Sequence, residues 1–392
     1  MKKLIKIVLF AIIRLFTIKN DKYIIFESAD FFYDNSYALF LYVKQNYPQY
    51  KLKYIVTNKE QEKTAFINGI SKKELLKAYN NHLFSFQLFK YSLKSKCLFY
   101  SLINYWRDLK TRNSTKVVYL GHGEFPLKNI EHYLHILFAN SYSDNYICVQ
   151  TVWSEETQKA KYPILNNVSF AICGAPRNDF MFSNQFTKNQ LFDLLGIKDH
   201  NGNSVIFCLC TFRKMYDASV SLFDDFPINI SSNQLVELND QLIANNQTLL
   251  IKIHHAQRKC FVPDNLSNIL FIDNVFLQEK AIQLHSIYPL VDAMITDYST
   301  AYISYLDINR PIGFIIADKE KYEKEKGFTV DNIEDLMPGP KILSFNELIS
   351  FLNSVKNKKD DYKNDRAVVK EKLLGDFKDK NCYSVAHMFL DN

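Results

Sequence analysis

Strand-like and helix-like patterns of apolar positions alternate along the first half of the chain. Short runs rich in β-branched and aromatic residues, typical of strands, occur at 23–27, 53–56, 117–120, 146–150 and 168–173. A helical pattern at 36–45 separates the first two runs, and the segment Ser71-Lys-Lys-Glu74 resembles a capping box that would begin another helix. Strands that alternate with helices in this way predict a doubly wound parallel sheet.

The pattern then starts again. A second set of strands is predicted at 204–209, 248–254, 268–272, 293–296 and 312–316, with helices at 234–245, 279–286 and 299–306. The polar stretch 186–203 lies between the two sets, so the sequence predicts two Rossmann-like domains, 20–188 and 189–392. Two such α/β domains in tandem leave a cleft between the carboxyl ends of their sheets, where ligands bind in this fold class.

The first residues follow a different pattern. The apolar run 7–13 is far shorter than the roughly 18 to 20 residues that span a bilayer. Basic side chains flank large apolar ones in this region: Lys2, Lys3, Lys6 and Arg14. Residues 1–19 are therefore predicted to form a basic amphipathic helix that lies on an anionic membrane surface. The alternative is an ordinary first helix that packs on its own domain.

Composition narrows the class of protein. The 392 residues are 47% hydrophobic and 23% charged, as in a globular protein. A net charge of +6 is too mild to indicate nucleic-acid binding, but it suits a protein that handles phosphates beside anionic lipid. Seven cysteines without framework spacing predict a reducing compartment. Cys208 and Cys210 alternate along a predicted strand and are expected to be buried thiols on one side of it.

The first candidate for chemistry follows a predicted strand directly: Gly121-His122-Gly123. Glycines on both sides of a histidine let the backbone turn sharply and leave the ring exposed. A neutral imidazole with a pKa of about 6.5 can take a proton from an attacking hydroxyl, so His122 is a candidate general base. Lys128, a few residues later, could hold a phosphate. The competing interpretation is a tight turn with a structural histidine.

Further candidates lie at the ends of strands in the second series. His254 ends one strand and could donate to a phosphate oxygen. Thr296-Asp297 ends another, and a helix is predicted to begin near Ser299 and Thr300. Free N–H groups and hydroxyls at a helix N-terminus bind anions, so this segment could hold a pyrophosphate. Simple capping by Asp297 or Ser299 is the alternative.

Two arginines lie in loops after strands, Arg177 in Gly174-Ala-Pro-Arg177-Asn-Asp179 and Arg213 in Thr211-Phe-Arg213. Guanidinium groups suit phosphates because they donate two parallel hydrogen bonds. No acidic cluster of the kind that Mg²⁺ needs is present, so no cofactor is obligatory, although Asp297 could take part in a Mg²⁺ site. The sequence contains no GxSxG elbow, Walker loop, HExxH or Rossmann glycine fingerprint.

Taken in order, these motifs resemble the CDP-glycerol glycerophosphotransferase family of teichoic-acid primases and polymerases, which also occurs in capsule biosynthesis. The matching blocks are Phe26-Glu-Ser28 with Asp34-Asn35-Ser36, His122-Gly123 with Pro126-Leu127-Lys128, Gly174-Ala-Pro-Arg177-Asn-Asp179, Thr211-Phe-Arg213, His254, Thr296-Asp-Tyr-Ser299, Asp307 with Arg310-Pro311, Asp318, Tyr322, Gly327-Phe328 and Pro338-Gly339-Pro340. The chain departs from the family in two places. Glu124-Phe125 stands where the family has a single Thr, and His255 stands where it has Pro.

The resemblance implies a GT-B fold, with an N-terminal acceptor-side domain and a C-terminal domain that binds the CDP donor. It also implies a peripheral enzyme on the cytoplasmic face of the membrane, which uses CDP-glycerol or CDP-ribitol and a lipid-linked acceptor. His122 would be the general base and His254 a phosphate stabiliser. Two alternatives remain: a GT-B sugar-nucleotide glycosyltransferase, and an inactive membrane-bound partner in a capsule assembly complex.

Overall fold

A computed structural model describes most of the chain. The described residues are 8, 11–16, 21–28, 34–78, 86–102, 115–121, 123–138, 145–197, 202–211, 226, 228, 230–253 and 266–391. Three predicted site residues, His122, Arg213 and His254, lie outside them.

The chain forms two compact units. The first contains Met1–Glu124, Ile130–Phe182 and Leu374–Asn392, and the second contains Phe125–Asn129 and Ser183–Leu373. The change from one unit to the other at Ser183 lies close to the predicted boundary at 188/189. Two segments differ from the predicted division, because Phe125–Asn129 packs with the second unit and Leu374–Asn392 packs with the first.

The first unit is built on a seven-stranded parallel sheet with the order β3-β2-β1-β4-β5-β6-β7. Its strands are β1 (Tyr23–Glu27), β2 (Lys51–Val56), β3 (Leu75–Lys77), β4 (Ser95–Tyr100), β5 (Lys116–Tyr119), β6 (Asn145–Val149) and β7 (Ser169–Ile172). Its α-helices are Asn35–Asn46, Lys59–Ile67, Phe86–Ser92, Glu131–Phe138, Val152–Lys161 and Asn381–Ala386, with 3-10 turns at Pro163–Asn167, Pro176–Phe182 and Lys378–Lys380 and a π turn at His387–Asp391.

Both faces of this sheet are buried, as expected for a parallel sheet. Phe26 packs at 5.5 Å from the rings of both Phe40 and Phe99 on one face. Ile25 and Leu98 belong to the core on the other face. Alternate residues of one strand therefore enter different cores, which fixes the register of β1 against its neighbours.

The second unit is built on a six-stranded parallel sheet with the order β10-β9-β8-β11-β12-β13. Its strands are β8 (Ser204–Leu209), β9 (Gln247–Lys252), β10 (Ile269–Ile272), β11 (Ala293–Thr296), β12 (Ile312–Ile315) and β13 (Lys341–Ile342). Its α-helices are Lys188–Leu195, Ser232–Ala244, Asn274–Glu279, Leu284–Ile287, Ala301–Tyr305, Lys319–Lys326, Phe345–Lys356 and Lys363–Leu374, with 3-10 turns at Tyr288–Leu290 and Ile333–Leu336.

The structure corrects two predicted helices. Ser71 and Glu74 do bond to each other, at 2.7 Å from both the backbone N and Oγ of Ser71 to the Glu74 carboxylate. They close a turn that leads into β3, because the two leucines that follow are needed in the core beside β2. The helix predicted at 279–286 is instead two short helices, separated where Ala281 has a φ of +52°.

Among the described cysteines, the predicted pair does lie on one side of its strand. The Sγ atoms of Cys208 and Cys210 are 3.8 Å apart, and both belong to the same apolar cluster. Cys208 is fully buried, as expected, whereas Cys210 is only partly buried.

At the N-terminus, residues 11–15 are helical. Ile13 is buried against Phe89 and Leu93, while Leu15 and Phe16 are 82% and 83% exposed. Within the described part of the chain, no helix combines the length and the apolar character needed to cross a bilayer. Ile13 thus packs on its own unit, while Leu15 and Phe16 leave large apolar side chains uncovered.

Candidate functional site

The first candidate, His122, follows β5 in the sequence, within Gly121-His122-Gly123. Gly121 has a φ of +78°, a conformation that L side chains rarely adopt, and a Cβ there would lie 2.8 Å from the carbonyl oxygen of Gly123. Gly121 therefore allows a turn that another residue at this position could not make. His122 stands between the two glycines in the sequence, outside the described residues, so its role as a general base stays a prediction.

Asn35 holds the start of this turn. Its Nδ2 donates to the carbonyl oxygens of Leu120 and Gly121 at 3.0 and 3.1 Å, and its Oδ1 accepts from the backbone N–H of Arg177 at 3.1 Å. Asn35 begins a helix that Asp34 caps by accepting from the backbone N–H of Tyr37 at 3.0 Å. One buried amide thus joins three elements of the first unit at the carboxyl edge of its sheet.

Glu124 holds the other end of the same turn. Its carboxylate accepts from the guanidinium of Arg177 at 2.9 Å, and the two side chains are 0% and 10% exposed. The structure therefore places Arg177 in a buried ion pair at the edge of the sheet. A phosphate-binding role for this arginine stays a prediction.

The rest of the block around Arg177 binds the C-terminal segment. Asp179 accepts from the backbone N–H groups of Asn381 and Cys382 at 3.0 and 2.8 Å, and burial raises the pKa of its carboxyl. A Cβ on Gly174 would lie 2.5 Å from the Cα of Asn381. Gly174 and Asp179 are therefore explained by close packing within the first unit, without a ligand.

In the second unit, Asp297 gathers the loops that follow two neighbouring strands. Its carboxylate accepts from the backbone N–H of Thr211 at 2.9 and 3.0 Å, from the Thr211 hydroxyl, and from the backbone N–H of Ser299 at 3.1 Å. The hydroxyl of Thr296 donates to the carbonyl of Leu209 at 2.7 Å. Asp297 thus fixes Thr211, which lies two residues before Arg213 in the sequence.

The predicted pyrophosphate segment begins a short helix. That helix, Ala301–Tyr305, has five residues, and Thr300 precedes it with helical φ and ψ of −68° and −7° and without a side-chain cap bond. Ser299 Oγ accepts from the backbone N–H of Ala301 at 3.3 Å. So short a helix contributes little dipole, so any phosphate here would depend on the partly exposed hydroxyls and on neighbouring cations.

Lys128 is such a neighbouring cation. It pairs with Phe328 in an antiparallel bridge, and the backbone N–H of Thr329 donates to Leu127 at 2.9 Å. The Lys128 side chain reaches solvent, yet the protein atoms around it lower its pKa, an effect that the Asp297 carboxylate opposes. The fold thereby brings Lys128 together with the Thr296–Thr300 block.

An aromatic cluster supports this arrangement. Tyr298 stacks on Tyr322 at 4.4 Å between ring centroids and packs against Phe328 at 5.3 Å. Its hydroxyl also donates to Asp318 at 3.3 Å. Asp318, Tyr322 and Phe328, which the sequence resemblance singled out, therefore surround Tyr298, and Phe328 is also the bridge partner of Lys128.

Three residues that position the loops, Asn35, Glu124 and Thr211, received no role from the sequence. Each lies in a block quoted for the resemblance or for a departure from it, but their partners are far away along the chain.

Among the described residues, no group of three His, Cys, Asp or Glu side chains is arranged to hold a metal ion. The Asp297 carboxylate, considered for Mg²⁺, accepts hydrogen bonds from Thr211 and Ser299.

Known proteins are similar to this chain over most of its length. The model of the CDP-Glycerol:Poly(glycerophosphate) glycerophosphotransferase family matches residues 9–384. The teichoic acid poly(glycerol phosphate) polymerase of Bacillus spizizenii is 26% identical over 373 residues, which are 88% of this chain and 86% of that protein. The poly(ribitol-phosphate) polymerase of the same organism is 28% identical over 188 residues, 47% of this chain and 28% of that one.

Solved structures show the same fold. The wall teichoic acid polymerase TagF superposes with a TM-score of 0.69 at 17% identity, covering 98% of this chain and 92% of that one. A UDP-N-acetylglucosamine 2-epimerase superposes with a TM-score of 0.56 at 10% identity, covering 96% and 98%. The predicted GT-B-like fold of two parallel-sheet α/β domains is thus confirmed. The chain belongs to the CDP-Glycerol:Poly(glycerophosphate) glycerophosphotransferase family and is a transferase that takes polyol phosphate from a CDP-activated donor.

Proposed function

We propose that the protein transfers glycerol phosphate, or a related polyol phosphate, from a CDP-activated donor to a hydroxyl of a lipid-linked glycan or teichoic-acid-like polymer, and releases CMP. The observation that carries this proposal is the family match over residues 9–384, which runs through the loops at the carboxyl edges of both sheets. Glycerol and ribitol are both named among the relatives, so both CDP-glycerol and CDP-ribitol are candidate donors.

In the proposed reaction, the acceptor hydroxyl attacks the phosphorus on the polyol side of the donor. His122 takes the hydroxyl proton as the new P–O bond forms. The bond from that phosphorus to the bridging oxygen breaks, and the electron pair leaves with CMP. The work of the protein is then mainly to position the two substrates and to stabilise charge on the phosphates.

The charge on the phosphates would be stabilised by residues of the second unit. Lys128 supplies a cation beside the Thr296–Thr300 block, where Ser299 and Thr300 offer hydroxyl groups. Asp297 acts on this site by fixing the loops, through its bonds to Thr211 and Ser299. His254 and Arg213 complete the proposed set as donors to phosphate oxygens.

The proposed location is the cytoplasmic face of the cell membrane, as a peripheral protein. Leu15 and Phe16 are largely exposed on the N-terminal helical segment, and the sequence before them carries lysines at positions 2, 3 and 6. Apolar side chains flanked by basic ones suit the surface of an anionic leaflet. Such contact would hold the enzyme near a lipid-linked acceptor.

The test is CMP release by the purified full chain, with CDP-glycerol, CDP-ribitol, UDP-sugars and GDP-sugars offered separately beside a lipid-linked acceptor extract. We expect CMP from a CDP-polyol and a loss of about 10²- to 10⁴-fold in the His122→Ala variant. His132→Ala is the matched control, because His132 is an exposed histidine of the first unit and should not affect the rate.

Two other outcomes of these experiments would indicate the two alternative functions. Turnover of a UDP- or GDP-sugar in place of the CDP-polyols would indicate a GT-B glycosyltransferase. A His122→Ala protein that kept full activity in the cell would support the inactive partner of a capsule assembly complex, which the longer loop with Glu124 and Phe125 first suggested.

A further inference from the structure

The turn after β5 is held at both ends by side chains from distant parts of the first unit. Asn35 binds the carbonyls of Leu120 and Gly121 before the position of His122. Glu124 binds the guanidinium of Arg177 after it. Arg177 also belongs to the first anchor, because its backbone N–H donates to Asn35. The two anchors therefore meet in one residue.

Such anchoring is needed because the turn itself is weakly determined. Glycines lose more conformational freedom on folding than any other residue, and this turn contains two within three positions. A reacting group that shifts by about 1 Å can lose about 100-fold in rate. A histidine between two glycines therefore depends on its neighbours for its placement.

The ion pair is a costly way to supply this anchor. Glu124 is 0% exposed and Arg177 10% exposed, so both charges have lost much of their water. Buried pairs contribute little net stability compared with apolar residues of the same size, and their best-attested use is to select one arrangement among several. The pair joins the loop to the 3-10 turn Pro176–Phe182, whose Asp179 is itself fixed by the C-terminal segment.

We propose that Glu124 is a positioning residue which, through Arg177, sets the loop of His122 for proton removal from the acceptor. This inference rests on the proposed function for its effect on rate. In this proposal Arg177 holds the loop, and the donor phosphates are bound by Lys128, Arg213 and the Thr296–Thr300 block. The residue that lengthens the loop relative to the family is then the one that holds it.

The first test measures kcat and the donor KM for CMP release by the Glu124→Gln full chain. Gln keeps the size and a hydrogen bond but removes the charge, so the loop should shift. We expect kcat to fall about 10- to 100-fold and the donor KM to stay within about 2-fold. Arg177→Met should behave in the same way, and Arg177→Lys should recover part of kcat.

The matched control is Arg366→Met. Arg366 is a buried arginine of the second unit that donates to Asp360 at 2.9 Å, so its loss also leaves a carboxylate without its arginine partner, here one that is 23% exposed. We expect it to lower thermal stability as Arg177→Met does, with kcat of the folded protein within about 2-fold. A kcat loss as large in Arg366→Met as in Arg177→Met would reduce the effect to general destabilisation and overturn the proposal.

A second readout does not need turnover. Hydrogen–deuterium exchange on the folded Glu124→Gln protein should be faster at the amides of Gly121 and Gly123 than in the wild type, with the Asn381–Ala386 helix unchanged. Unchanged exchange would contradict the proposal, as would an Arg177→Met variant that raises the donor KM and keeps kcat, because that result would make Arg177 a donor ligand. If the wild type released no CMP from either CDP-polyol, the proposed function would be wrong. Hydrogen exchange would still test whether Glu124 anchors the turn.

Discussion

The loops of the two units are fixed by different means. In the first unit, the turn after β5 is held by an amide and an ion pair, Asn35 and Glu124–Arg177, which come from separate elements. In the second unit, the one carboxylate of Asp297 accepts hydrogen bonds from both Thr211 and Ser299. Anchoring in the first unit is thus distributed, whereas in the second it is concentrated in one buried side chain. The loss of a single residue should be correspondingly more damaging in the second unit.

The largest effect is expected from Asp297→Ala, which tests whether one side chain anchors the loops of the second unit. The change leaves the N–H groups of Thr211 and Ser299 without their acceptor inside the protein, so we expect a loss of about 3 kcal/mol in the free energy of unfolding. CMP release should fall by about 100-fold or more, because Thr211 and Ser299, beside residues proposed to bind phosphate, lose their anchor. Chemical denaturation and the CMP assay measure the two effects.

The control for Asp297→Ala is Asp273→Ala in the same unit. Asp273 caps the helix Asn274–Glu279 by accepting from the backbone N–H of Phe276 at 2.8 Å. Its loss should cost about 1 kcal/mol and leave the rate unchanged. If both variants lost the same activity, Asp297 would have no special place in the site.

A smaller effect is expected from Gly121→Ala in the first unit. The added Cβ meets the carbonyl of Gly123 at 2.8 Å and also strains a φ of +78°. We expect kcat to fall about 10-fold, since Asn35 and Glu124 still hold the ends of the turn. Gly69→Ala separates strain from contact, because Gly69 has a φ of +77° and nothing within 4 Å of an added Cβ. That control should cost about 1 kcal/mol of stability without changing kcat.

The smallest effect is a pH dependence of stability at Asp179. Burial raises the pKa of this carboxyl above its ordinary value of 3.8, so the folded state holds its proton more tightly than the unfolded state. Its contribution to stability is therefore complete below pH 3.8 and is lost as the pH rises through the folded-state pKa. The unfolding free energy of the wild type minus that of Asp179→Asn should therefore decrease from pH 4 to pH 7. An increase over this range would contradict the assigned direction.

Much of the fold could be predicted from local patterns. β1, β8 and β11 were placed at their observed bounds, because apolar runs of four to six residues between polar segments leave few alternatives. The Ser71–Glu74 segment was misassigned because the same side-chain bonds close a turn before a strand or begin a helix. Only the burial of Leu75 and Leu76 beside β2 decides between the two.

The site was less predictable, because its contacts depend on strand order. Asn35 reaches Gly121 only because β4 and β5 follow β1 across the sheet, an order that local patterns do not contain. The pairing of Thr211 with Asp297 likewise depends on β8 lying beside β11. Residue types suggested chemistry at Lys128 and the Thr296–Thr300 block, but their mutual placement required the antiparallel bridge to Phe328.

The binding of the C-terminal segment by Gly174 and Asp179 has a consequence for how the protein is made. Ribosomes deliver the chain from its N-terminus, and domains usually fold as units in that order. Here the helix Asn381–Ala386 belongs to the first unit, while all of Ser183–Leu373 is synthesised before it. The first unit therefore cannot be completed until Asn381–Ala386 has been synthesised, and the second can be finished while the first is still incomplete.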